Sequence, residues 1–258
     1  MSRSKGFSLV ELAVALTIIA LLLAGALIPL SAQIDVRNVS DTQRSMDSIR
    51  EAIIGFAQAN GRLPCPAAGT IAAGGVNAGA EQYVAPNCTA TAGVVPWATL
   101  GVPETDGWGR RLSYWVSPIF ADAVGTTFGC TPAPVPTPTQ SSFALCSLGT
   151  LTVNTRNEIT HAATAVGLVL PAVIISHGKN GFGAFTPAGG ATLAAPVGTD
   201  EIANATAATT TFFSRTRTPA ASTCSDAAGP AFCEFDDVVV MITSNLLIAR
   251  MVAAGRLP

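Results

Sequence analysis

From Phe7 to Leu30 the chain carries a single charged residue, Glu11. A helix rising about 1.5 Å per residue makes this run roughly 36 Å long, against a bilayer hydrocarbon core of about 30 Å. The expectation is therefore one membrane span at the N-terminus. Glu11 is the feature that an ordinary anchor does not explain. A carboxylate within a spanning helix costs about 2.5–3.5 kcal/mol on insertion scales, so it needs a partner. Cleavage after Gly6 would create an amine at Phe7, about one helical turn away. That amine, in the same subunit or a neighbour, would neutralise Glu11, and the buried pair would select a register between subunits. A secretory signal fits less well. Its apolar core spans about 7–15 residues and ends at small residues, as Ser31-Ala32-Gln33 does, but this run is longer and holds an acid.

Gly6-Phe7-Ser8-Leu9-Val10-Glu11-Leu12 resembles the type III signal of type IV pilins and type II secretion pseudopilins. The resemblance implies cleavage between Gly6 and Phe7 by a prepilin peptidase and N-methylation of Phe7. It also implies assembly through Phe7, Glu11, Gly25 and Pro29, because pilins have a Gly and a Pro where the helix loosens in the filament. Pro29 lies one place later than usual. Three other stretches are similar to family turns. Asn60-Gly61-Arg62-Leu63-Pro64 resembles the turn that ends the long helix, with Leu63 in place of an aromatic residue. Asp106-Gly107-Trp108-Gly109-Arg110 resembles the Asp-Pro-Trp-Gly-Asn turn of major pseudopilins. Ser176-His177-Gly178-Lys179-Asn180-Gly181 resembles their Gly-x-Asp-Gly turn, near which those proteins bind calcium. Here Lys179 and Asn180 replace carboxylates, and Asp200 and Glu201 are the remaining weak calcium candidates. Otherwise no cofactor or metal is expected.

The fold class implied is α+β and pilin-like, a long N-terminal helix packed on an antiparallel sheet with disulfide-stapled loops. The expected divisions are a leader (1–6), a transmembrane and filament-core helix (7–30), an amphipathic continuation (31–62) and a β-rich periplasmic or extracellular body (63–258). Arg3 and Lys5 before the span keep the N-terminus cytoplasmic. The implied partners are other pilin or pseudopilin subunits, the prepilin peptidase, an inner-membrane platform protein, an assembly ATPase and an outer-membrane secretin. The function expected is that of a structural filament subunit. A minor or tip pilin acting as a binding module is the alternative, and a membrane-anchored periplasmic enzyme a more remote one.

Charged residues make up only 12% of the chain and the formal net charge is −2, with no basic patch, so nucleic acid is not expected as a partner. Six cysteines in an exported body read as disulfides; the sequence-local pairing is Cys65–Cys88, Cys130–Cys146 and Cys224–Cys233 among the fifteen that six cysteines allow. The two histidines, His161 and His177, lack metal spacing. No H-E-x-x-H, G-x-S-x-G or phosphate-loop motif occurs, so no catalytic residue is expected.

Along the chain, Phe7 to about Gly61 reads as one long helix interrupted at Gly25–Pro29, since proline lacks an N–H and crowds the carbonyl four residues back. Met46, Ile49, Ile53 and Phe56 fall on one face of its second half, which must bury against a sheet. Asp41/Arg44 and Asp47/Arg50 are i,i+3 pairs on the polar side. Residues 65–96 and the proline-rich 130–146 read as loops and as partner-facing surfaces. Strands are expected at 111–116, 151–155, 172–176, 212–215 and 237–242, with Pro171 either marking an edge or splitting the run 166–176. Ser244 is expected to cap a last helix, 245–254, ended by Gly255.

Overall fold

The computed structural model describes residues 8–125, 130 and 138–257, and within 23–32 the backbone alone. Helix α1 runs without a break from Leu9 to Asn60, 52 residues. At about 1.5 Å per residue this is a rod of roughly 78 Å. The interruption expected at Gly25–Pro29 is not present in the single chain. Proline removes one ladder bond there, and the Ala- and Leu-rich flanks are strong helix formers. The helix ends where the sequence places its stop. Gly61 adopts φ 74°, and its N–H bonds the Ala57 carbonyl at 2.7 Å. A Cβ at Gly61 would collide with the Gln140 carbonyl, so glycine is required twice over.

Beyond the helix come a short hairpin, β1 (Tyr83–Val84) and β2 (Asn87–Cys88), then β3 (Ala92–Val94) and α2 (Trp97–Leu100). Next are β4 (Ser113–Val116), α3 (Pro118–Ala121), β5 (Leu151–Arg156), β6 (Ala163–Leu170) and β7 (Ala172–Ser176). The chain closes with α4 (Thr199–Ala205), β8 (Thr211–Phe213), β9 (Val238–Ile242) and α5 (Ser244–Ala253). Two larger sheets result. The first has the order β3-β4-β7-β9 and is antiparallel throughout; the second has the order β6-β5-β8, with β5 and β8 parallel.

The layers follow from strand alternation. On β4 and β7, Tyr114, Val116, Ala172 and Ile174 face α1, where they meet Met46, Ile49, Ile53 and Ala57 together with Leu247 and Met251 of α5. Their neighbours Trp115, Val173 and Ile175 face the other way and pack on Leu151, Val153, Leu170 and Phe212 of the second sheet. The four-stranded sheet is thus covered on both faces, so β7 is apolar from Ala172 to Ile175 and every residue of the strand is buried. The helix face expected from sequence is the one buried, though Phe56 is only half-buried and Ile54 joins the interior. Asp41–Arg44 at 3.5 Å and Asp47–Arg50 at 3.3 Å lie on the polar side.

All three sequence-local disulfides form: Cys65–Cys88, Cys130–Cys146 and Cys224–Cys233. Pro171 splits the apolar run into β6 and β7. At the last helix the expected cap is corrected: Thr243 is the N-cap residue, and Ser244 Oγ donates instead to the Val169 carbonyl at 3.0 Å. The stretch 131–137 of the proline-rich loop lies outside the described residues.

Candidate functional site

Two regions of the chain concentrate the residues singled out from sequence. The first is the start of α1. Ser8 is its N-cap, and Glu11 is the third residue of the helix. Ser8 Oγ accepts from the Glu11 N–H at 3.2 Å, while Glu11 Oε2 accepts from the Ser8 N–H at 2.9 Å. This is a capping box, which satisfies two helix-end donors reciprocally. Every side chain from Leu9 to Leu22 is exposed, Leu9 at 86% and Leu21 at 70%, so none of this apolar length touches the body. Among the described residues no helix is long and apolar enough to cross a membrane. Gly6 and Phe7 lie outside the described residues. Gly25 and Pro29 are placed within the helix by their backbone alone.

The second region lies at the end of the four-stranded sheet where β7 leaves and β9 enters. Asp200 and Glu201, adjacent in sequence on α4, go to different neighbours. Asp200 is fully buried between two guanidinium groups, with Arg156 Nη2 at 2.7 Å and Arg215 Nε at 2.9 Å. Arg215 continues the chain to Asp226 at 2.9 Å. Glu201 instead faces Asp236 and Asp237, with one oxygen of each of the three within 4.8 Å of the others. Asn180 Nδ2 donates to Glu201 Oε1 at 3.1 Å, and the Asn180 N–H donates to Asp236 Oδ2 at 2.8 Å. The Asp236 N–H donates to Glu201 Oε1 at 3.0 Å, and Asn204 Nδ2 donates to Asp237 Oδ2 at 2.7 Å. Burial and the Asp237 charge push the Glu201 carboxyl up to about 7, and burial pushes Asp236 up to about 6.

His177 stands beside this cluster. Register places it opposite Asp237 and diagonal to Ser113, all on one face of the sheet. Its Nε2 is 2.9 Å from Ser113 Oγ, and its Nδ1 is 3.6 Å from Asp237 Oδ1, beyond hydrogen-bond reach. Serine, imidazole and carboxylate follow one another as in a nucleophile triad. However, Ser113 is the first residue of β4, held in the sheet and 4% exposed.

Residues 1–27 match the prokaryotic N-terminal methylation motif. The chain carries the type IV pilin and pseudopilin signal. No curated protein and no solved structure matches it. The match ends within α1, well before its midpoint, and none of it lies in the body. The signal's glutamate and the serine three residues before it are the pair that forms the capping box. That spacing, Ser-x-x-Glu ahead of an apolar run, was readable in the sequence, and reading Glu11 only as an assembly residue passed over it. From sequence Asp237 is only the first residue of an expected strand, and Asp236 is not singled out. No local spacing links them to Glu201, which lies 35 residues before Asp236.

Proposed function

We propose that the protein is a structural subunit of a type IV pilus-like or type II secretion pseudopilus filament. A prepilin peptidase cleaves it between Gly6 and Phe7, and Phe7 is then N-methylated. The observation that carries this reading is the methylation motif set directly on an apolar helix whose first fourteen or so residues no part of the body covers. Such a surface must be buried in lipid or against other helices. Before assembly the helix spans the inner membrane with residues 7–30, the body being periplasmic. In the filament it bundles with copies or relatives. Each contact is head-to-tail and does not close, so repeated addition builds a helical polymer. An ATPase, a platform protein and an outer-membrane secretin supply extraction and passage.

Processing transfers Glu11 from one partner to another. In the single chain its carboxylate closes on the Ser8 N–H. A methylated Phe7 amine from a neighbour is a cationic partner that the uncleaved chain does not possess. The test is mass spectrometry of the mature N-terminus from cells: a methylated Phe7 is expected, and an intact leader or a cut near Ala32 overturns the reading.

A minor, tip-located role is the second reading. The second sheet favours it, because it enlarges the body and leaves Val166 and Leu168 of edge strand β6 uncovered. Sheared filaments decide between the two: a main subunit is the dominant band, and a tip protein is scarce.

A further inference from the structure

We propose that Arg156 and Arg215 form a binding site for one small organic carboxylate, in a cavity of about 210 Å³ that both line together with Glu158, Thr216, Thr218 and Phe232. The cavity belongs to the layer of the second sheet, which the main sheet separates from α1. Register brings the two arginines together. β5 and β8 run parallel with Asn154 opposite Phe213, and each arginine lies two residues beyond its member of that pair. The Ser214 N–H bonds the Asn154 carbonyl at 2.8 Å and carries the ladder one step further. Residues two apart on a strand share a face, so both guanidinium groups emerge side by side at the ends of the two strands.

The guanidinium groups are held from behind and through their flat faces. Asp200, with no side-chain exposure, lies 2.7 Å from Arg156 Nη2 and 2.9 Å from Arg215 Nε, and Asp226 lies 2.9 Å from Arg215 Nη2. Arg156 covers the Phe213 ring at 4.6 Å, while Arg215 lies 4.4 Å from the Phe235 ring and 4.7 Å from that of Phe232. Stacked faces leave the in-plane N–H edges for a ligand, and those edges match the geometry of a carboxylate.

The edges keep unspent donors. Arg156 Nη1 donates to the His161 carbonyl at 3.0 Å, Arg156 Nη2 faces Asp200, and Arg215 Nη1 donates to Thr218 Oγ1 at 2.9 Å. Each of these nitrogens carries two hydrogens, so each has one left. The side chains of Arg156 and Arg215 are only 11% and 4% exposed, and donors so enclosed are costly to leave unpaired. An acceptor seated in the cavity satisfies them.

Charge selects the class of ligand. Asp200, Asp226 and Glu158 already outnumber the two guanidinium groups, so a singly charged carboxylate is favoured over a doubly charged phosphate. Glu158, exposed at the rim, accepts from the Thr216 hydroxyl at 3.3 Å and repels an incoming anion. Phe232 gives the cavity an apolar side, against which a short apolar body can pack. The Cys224–Cys233 bridge fixes the residue next to it, so this wall is formed before any ligand arrives.

The test titrates the full-length protein in detergent with sodium benzoate, at an ionic strength held constant with NaCl, and follows the arginine Nε–H signals by heteronuclear NMR. Saturable shifts at Arg156 and Arg215 are expected, with sodium phosphate binding more weakly. Arg156→Gln is expected to weaken benzoate binding about tenfold or more. Glu158→Gln is expected to tighten it about threefold, because it removes the repelling charge at the rim. Glu158 is on the surface, so this variant keeps the test decisive if Arg156→Gln fails to fold. The absence of saturable shifts, phosphate binding as tightly as benzoate, or unchanged or weaker binding in Glu158→Gln overturns the site. None of these readouts depends on the N-terminus, so this inference and the filament reading fail separately.

Discussion

Ser8 and Glu11 bond each other twice, Glu11 N–H to Ser8 Oγ at 3.2 Å and Ser8 N–H to Glu11 Oε2 at 2.9 Å. One carboxylate therefore has two uses, a local one at the helix end and, under the proposed assembly, a second one toward a neighbour. The two separate by mutation. Ser8→Ala removes the cap, costing the helix end about 1 kcal/mol, and leaves the carboxylate in place. Faster amide exchange at residues 9–12 is expected, with filaments still formed. Glu11→Ala is expected to abolish filaments while the protein accumulates in the membrane. Filament loss in Ser8→Ala with normal assembly of Glu11→Ala would reverse the assignment.

Arg215 holds two buried carboxylates, Asp200 and Asp226, and is itself nearly sealed from solvent. Arg215→Ala leaves Asp226 without its cation, a loss of about 3–5 kcal/mol by analogy with other broken buried pairs. The urea midpoint should fall accordingly. Arg215→Lys should recover little, because a single ammonium cannot span both acids.

The Cys65–Cys88 bridge closes a separation of 23 residues. On the chain-entropy account its loss costs about 3 kcal/mol. The Cys65→Ser, Cys88→Ser double variant should unfold at lower denaturant. Arg62, just before this loop, pairs with Glu81 inside it at 2.8 Å and should keep the ends from separating in native buffer. Protease resistance of residues 65–88 in that buffer checks this.

The cluster of Glu201, Asp236 and Asp237 sets a pH trend. Glu201 is raised from 4.5 to about 7 and Asp236 from 3.8 to about 6, in each case chiefly by burial. The folded state thus holds these protons more tightly than the unfolded chain. Their contribution to stability is complete below about pH 4 and is lost as pH rises through 6 to 7. Denaturant midpoints are expected to fall over that window, and Glu201→Gln should flatten the trend.

The Ser113–His177–Asp237 row invites a chemical test. With the serine buried at the start of β4 and the imidazole 3.6 Å from its carboxylate, a fluorophosphonate probe is expected not to label the protein. Labelling that disappears in Ser113→Ala would give the anchored-enzyme alternative its first support.

Much of this chain was legible locally. The glycine stop at Gly61, the apolar stripe of Met46, Ile49 and Ile53, and the split at Pro171 depend on neighbours within a few residues. The disulfides also paired nearest with nearest. The second sheet was harder. Strand β6 alternates weakly and is mostly exposed, and the parallel β5–β8 pairing joins segments far apart in the chain.

What the sequence by itself determined is the N-terminal methylation motif and the helix behind it. An apolar run with one acid, preceded by Gly-Phe, is legible because every residue involved lies within a turn or two of the next. What only the tertiary structure decided is the partnering of charge in the body. Asp200 and Glu201 are consecutive, yet the helix directs one to two arginines and the other to Asp236 and Asp237. Side chains one residue apart on a helix point about 100° apart, and which partners wait there is set by strands that arrive from elsewhere in the chain.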